Sequence, residues 1–470
     1  MLLRLRQPLA ALSLLLLAIP SVLRGQTSGA DRAEARAILA ELIGINTTHE
    51  HGSTTPAAEA VARRLRAAGL PAADVQVVGP DSTHMNLVAR LRGSGARKPI
   101  LLLAHLDVVE ALPQDWSLDP FTLTERDGYL YGRGTSDIKD EAAIFTAVLL
   151  GMKRDGFVPD RDIILALTAG EEGGEANGVQ WLLANRRDLI DAVYCVNGDG
   201  GDVIARNGKA YSRNVQASEK VYMDLDLTVR NAGGHSSLPV RDNAIYRLSA
   251  GLSRLGAYDF PIRLNEVTRG FFERGAAGAP AAVAADMRLI AKRADPAAIR
   301  RLTSQSPFFN AQLRTTCVAT MLDGGHAENA LPQTAHANVN CRMLPDEIPD
   351  SVIATVRRVV ADTAIRVTVR QAPVPSPLSP LIPEVLEPVE RITREMWPGA
   401  AVVPSMETGA TDGLYLRNAG MPVYGVSGVP LDEDDIRAHG RDERIRSSAY
   451  DEGLLFTDRL VRALSSGVAH

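Results

Sequence analysis

Apolar residues recur at helical spacing over 31–42 and again over 57–68, and Gly69 closes the second stretch, so both segments read as amphipathic helices. Beyond them the texture becomes short continuous apolar runs at 100–104, 163–167, 192–196 and 423–426, each bounded by Gly, Pro or Asp. Such runs read as strands covered on both faces, and helical stretches between several of them imply crossover connections in a mostly parallel α/β sheet. From 217 to 372 polar and apolar residues alternate instead, most clearly over 221–229, which predicts a sheet with one wet face. Helices at 244–255 and 351–362 and strands at 316–321, 335–343 and 364–370 complete the order strand-helix-strand-strand-helix-strand, a ferredoxin-like α+β layer inserted into the larger domain. The stretch 260–309 reads as an extra helical insertion within that layer, and the proline-rich run 373–380 as the return linker. The expected division is 1–25, 26–216 and 373–470 as the two halves of the main domain, and 217–372 as the inserted one.

Length agrees with this division, since 470 residues are too many for one ordinary core. With 45% hydrophobic and 23% charged residues, the composition is that of a globular protein. A net charge of −5 argues against nucleic acid, whose phosphates select strongly basic surfaces. Arg4 and Arg6 precede an apolar run over 9–19, then Pro20, Ser21 and Gly25, the layout of a secretory signal peptide over 1–25. The run is short for a membrane anchor, so an exported protein, periplasmic or secreted, is expected. Cys195, Cys317 and Cys341 are too few for a disulfide framework. Cys317 and Cys341 can pair if their strands are neighbours; three buried thiols are the alternative.

The chemistry-bearing residues stand at strand ends. His105 and Asp107 follow the first apolar run two residues apart, on one side of an extended chain, where a carboxylate can orient a metal-bound imidazole. Asp137 ends a glycine-rich turn just before a helix, where taken alone it is a helix cap. Glu171 and Glu172 follow the second run, Asp199 the third, and His439 stands in a polar loop near the end of the chain. Each alone is more often a surface group. Their recurrence beyond the carboxyl ends of parallel strands, where open α/β sheets place their sites, points to one shared site.

His105-Leu-Asp107, Gly132-Arg-Gly-Thr-Ser-Asp137-Ile-Lys139, Gly170-Glu-Glu172-Gly-Gly, Gly233-Gly-His235-Ser-Ser and Asn329-Ala-Leu-Pro resemble, in this order, motifs of one family. It is the dinuclear-zinc metallopeptidase and deacylase family that includes succinyl-diaminopimelate desuccinylase, acetylornithine deacetylase, aminoacylase and the glutamate carboxypeptidases. The resemblance implies a zinc-peptidase catalytic domain carrying a lid and dimerisation domain. It implies two zinc ions per subunit, with cobalt or manganese as possible substitutes: His105 and Asp199 on one, Glu172 and His439 on the other, Asp137 bridging. By the same resemblance Asp107 backs the first histidine and Glu171 is the general base. His235 supports the oxyanion, often from a partner subunit, Asn329 and Arg342 hold the substrate carboxylate, and Thr411 faces substrate. Three carboxylates then offset most of the charge of two zinc ions. Asp140 and Glu141, where many relatives carry small residues, and Asn340, where an acid is common, depart from the pattern.

The expected function is thus zinc-assisted hydrolysis of amide bonds in small peptides, of carboxypeptidase or dipeptidase type. Hydrolysis of N-acyl amino acids is the alternative enzyme, and a homodimer through the lid the expected partner state. A non-catalytic, zinc-stabilised peptide-binding protein would have no need of Glu171.

Overall fold

The computed structural model describes residues 28–173 and 176–467; the expected signal segment lies outside them. Among the described residues the main sheet has ten strands. Its centre is parallel and runs Ile163–Thr168, Ile100–His105, Cys195–Asn197, Val423–Gly425. Antiparallel pairs flank it: Asn86–Leu91 beside Ile163–Thr168, and Lys209–Glu219 beside Val423–Gly425. The two central strands bury every residue, as their unbroken apolar runs require. Successive side chains supply opposite faces: Leu102 and Leu165 join one core, while Leu101, Leu103, Ile164 and Ala166 join another. Each such fully buried Leu or Ile contributes about 1.5–3 kcal/mol of transfer free energy.

The helix Lys139–Arg154 connects the central strands across one face and is buried over nearly its whole length. Asp140 and Glu141 stand in its first turn and Lys153 and Arg154 in its last, in line with the helix dipole. Lys139 Nζ donates to the carbonyls of Leu42 and Ile45, at 2.9 and 2.8 Å, at the end of the helix Gly29–Ile43. This satisfies acceptors that a helix C-terminus leaves open.

The inserted domain is a four-stranded antiparallel sheet ordered Thr316–Gly324, Thr334–Met343, Val221–Arg230, Ile365–Gln371. Helices Ala244–Gly256 and Pro349–Val360 pack on one face. Chain order and strand order together are those of the ferredoxin-like layer. Val221, Met223, Leu225, Leu227 and Val229 point to the helices, and the residues between them face outward. Cys317 and Cys341 are register partners on adjacent strands and form a disulfide, and Cys195 is a buried free thiol.

The helical insertion differs from expectation in where it packs. Four helices, Glu266–Gly275, Ala281–Arg293, Pro296–Gln305 and Pro307–Leu313, build a core of their own around Phe272, Met287, Ile290 and Leu302. They seat on the main sheet rather than on the inserted one: Gln312 Nε2 donates to the carbonyl of Met406 at 2.8 Å, in the strand Ala401–Glu407. Among the described residues that strand pairs with Lys209–Glu219 alone, so the helices cover an edge that would otherwise be open.

Candidate metal centre

His105 is the last residue of a central strand and is buried. Its Nδ1 lies 2.9 Å from the main-chain carbonyl of Asp107, while the Asp107 carboxylate is 3.9 Å away. This corrects the expected carboxylate contact. The strand ends at His105, so the chain turns its own carbonyl under the ring, and Asp107 Oδ2 instead accepts from the Glu172 N–H at 2.9 Å. Either arrangement leaves Nε2 directed outward. His105 Nε2 lies 3.2 Å from Asp137 Oδ1 yet makes no hydrogen bond, although it is buried.

Asp137 arrives on the turn between the short strand Tyr129–Tyr131 and the helix Lys139–Arg154. Glu443, fully buried, clamps this turn by accepting from the amides of Gly134 and Ser136 at 3.1 and 2.7 Å and pairing with Arg133 at 2.7 Å. Glu171 and Glu172 follow Gly170, whose φ of +71° and whose closeness to the Ala176 carbonyl exclude a side chain. His439 Nε2 lies 3.0 Å from Glu172 and 3.1 Å from Asp137 Oδ2.

The result is two triads, His105–Asp137–Asp199 and Asp137–Glu172–His439, each with ligand atoms within 4.8 Å of one another, sharing Asp137. Their electrostatics call for cations. Burial raises Glu172 to about 7, and burial together with neighbouring acids lifts Glu171 and Asp199 well above the carboxylate range. Burial opposes ionisation of Asp137 too, but the His105 and His439 imidazoles outweigh it and hold its carboxyl low. The contact with Asp137 raises His439 to about 9. Acids that retain protons beside imidazoles that retain theirs are what a site built for divalent ions shows without them. The buried, unbonded His105 Nε2 and the mixed carboxylate and imidazole donors fit two such ions.

A cavity of about 730 Å³ opens onto these groups. Asp137, Glu171, Glu172, Asp199 and His439 line it from the main domain, with Thr411 on a neighbouring loop and Arg342 on the inserted sheet. Arg342 stacks over the Tyr222 ring at 4.6 Å. His235 and Asn329 do not line this cavity: His235 is exposed, on a two-residue strand paired with Ala330–Leu331. Asp140 and Glu141 line a second cavity of about 240 Å³ behind Asp137 and Asp199. Four residues near the site carried no sequence signal of their own. Asp412 holds Asn177 at 2.6 Å, Asn177 holds the Gly170 carbonyl at 3.1 Å, Glu219 holds Thr411 at 3.0 Å, and Glu443 clamps the Asp137 turn.

Residues 101–463 match the family model described as Peptidase family M20/M25/M40. The chain is 30% identical over 373 residues to the N-fatty-acyl-amino acid synthase/hydrolase PM20D1 of Xenopus tropicalis, covering 77% of this chain and 72% of the relative. It is 38% identical over 186 residues to the succinyl-diaminopimelate desuccinylase of Delftia acidovorans, covering 38% and 46%. Among solved structures it resembles an M20 family metallo-carboxypeptidase from Sulfolobus solfataricus, with a TM-score of 0.68, 16% identity and coverage of 92% and 99%.

Proposed function

Since the chain belongs to peptidase family M20/M25/M40 and is a metal-dependent amide hydrolase of that family, we propose that it removes a C-terminal amino acid from small peptides. The observation that carries this reading is that Asp137, Glu172, Asp199 and His439 of the two triads line one cavity with Glu171 and Arg342, while His105 completes the first triad from just beneath it. His105, Asp137 and Asp199 would hold one zinc ion, and Asp137, Glu172 and His439 a second. Cobalt or manganese would satisfy the same donors. When bound, the metal pair supplies Lewis acidity and makes water at the site more acidic.

This chain's residues do the rest. Glu171, in neither triad but lining the cavity, accepts the proton of the attacking water and passes it to the leaving nitrogen. The Arg342 guanidinium, pre-set by its stacking on Tyr222, binds the α-carboxylate of the leaving residue; Asn329, exposed beside His235 and outside this cavity, would reach substrate only together with the His235 loop of a second subunit. Thr411 walls the cavity on the main-domain side. His235 lies on the inserted domain's surface, so it reaches the oxyanion as His235 of the partner subunit. The exposed apolar residues Val318, Met321 and Leu322 on the edge strand Thr316–Gly324, with exposed Tyr246 on the helix Ala244–Gly256 that packs against this strand, support a homodimer through this domain. The Cys317–Cys341 disulfide supports an oxidising, hence exported, location. No helix among the described residues is long and apolar enough to cross a membrane.

The similarity to the fatty-acyl-amino acid hydrolase favours a second reading, in which the group removed from the amino acid is an acyl chain. Both readings share every residue named above. Zinc-loaded protein lacking residues 1–25 is assayed on dipeptides, longer peptides and N-acyl amino acids, with a chelated control. Chelator-sensitive release of amino acids from peptides is expected. Turnover of N-acyl amino acids alone selects the second reading, and none on any substrate with metal bound rejects both.

A further inference from the structure

The chain crosses between the domains twice, at 219–221 and again near 372–376, and both crossings converge on one buried carboxylate. Glu219 ends the strand Lys209–Glu219, and two residues later Val221 begins the first strand of the inserted sheet. Its Oε1 accepts from Ser376 Oγ of the return linker at 2.9 Å and pairs with Arg417 Nη1 at 3.1 Å. Its Oε2 accepts from the amide and hydroxyl of Thr411, at 3.2 and 3.0 Å, and from Gln216 Nε2 at 3.2 Å. Five donors on one carboxylate saturate its lone pairs. The network continues into the site: Asp412, next to Thr411, holds Asn177, and Asn177 holds the Gly170 carbonyl before Glu171.

We propose that Glu219 is a positioning residue that fixes the angle of the lid, and hence of Arg342, against the cavity loop 409–412. This rests on the reading above that Arg342 binds the substrate carboxylate. Arg342 belongs to the sheet that leaves Glu219 through Val221, whose register partner is Met343, so the first hinge leads into the strand pair that carries the guanidinium. A loosened hinge therefore costs carboxylate binding first. It leaves the metal ligands in place, since none of them bonds to Glu219.

The test uses Glu219→Gln and the milder Ser376→Ala, which keeps the Arg417 pair. The first readout is kinetic, on one peptide with a free C-terminal carboxylate and on its C-terminal amide. Losing one or two buried hydrogen bonds should raise KM for the free acid about tenfold in E219Q and about threefold in S376A. The kcat and the KM of the amide should change little. A parallel change on both substrates, or a loss confined to kcat, overturns the proposal. The second readout is independent of turnover: spin labels on Ala67→Cys and Ser253→Cys, exposed positions on the two domains, report the interdomain distance. A narrow distribution in the parent and a broad one in E219Q and S376A is expected; identical distributions overturn the proposal. If the parent hydrolyses no substrate yet the distances broaden, the functional reading fails and the hinge role stands.

Discussion

At the residue scale the site is a balance of protons held against metal. Glu171 lines the cavity without belonging to either triad, which makes it the group free to carry a proton. Glu171→Gln keeps the shape and removes the base. Turnover should fall at least about a hundredfold while two metal ions per chain remain by elemental analysis. Retained turnover would remove the assigned role. His439 gives a pH prediction. Its pKa is raised to about 9, so below that pH it holds a proton that a metal ion must displace. Metal affinity should therefore rise from pH 6 to pH 8, about tenfold per unit for each proton released, as read by competition with a chelating dye. A flat profile would mean that His439 is not a ligand.

At the element scale two features hold segments that their own sequences do not. The turn 132–137 is polar and glycine-rich, and it is Glu443, over three hundred positions away in the chain, that fastens it. Glu443→Ala leaves Arg133 charged and buried without its partner and should destabilise by about 3–5 kcal/mol in urea unfolding. An effect below about 1 kcal/mol would mean that the turn holds itself. The second feature is the Cys317–Cys341 disulfide, which closes a separation of 24 residues across adjacent strands. Cys341→Ser should cost about 3 kcal/mol, seen as earlier melting of the inserted domain.

At the scale of the whole molecule the inserted domain does two jobs: its sheet carries Arg342 into the cavity, and its edge strand exposes Val318, Met321 and Leu322. Val318→Glu with Leu322→Glu places charge on that edge. Light scattering should show a dimer for the parent and a monomer for the variant, and the monomer should lose activity because His235 of the partner subunit is gone. A parent that is monomeric and active would leave the oxyanion to residues of the same chain.

Much of this was legible in the sequence. The strands Ile100–His105 and Ile163–Thr168 announce themselves because a parallel strand covered on both faces must be apolar throughout. The ferredoxin-like layer was legible because one wet face imposes alternation. The strands Lys209–Glu219 and Ala401–Glu407 were not legible: the first buries Arg213, Gln216 and Ser218, and Arg213 is held by the carbonyls of Gly201 and Ser427 outside the strand, so neither periodicity nor an apolar run marks it. His105, Asp137, Glu171, Glu172 and Asp199 were each marked by the strand or glycine turn they follow, whereas His439 stands in a polar loop with no such mark. Their meeting at a shared Asp137, and the buried bonds that fasten the site through Glu219, Asp412 and Glu443, join positions hundreds of residues apart. Sequence fixes local periodicity and the kinds of chemistry available; only the tertiary structure decides which distant polar groups satisfy one another, because a buried donor takes whatever acceptor the packing brings within reach.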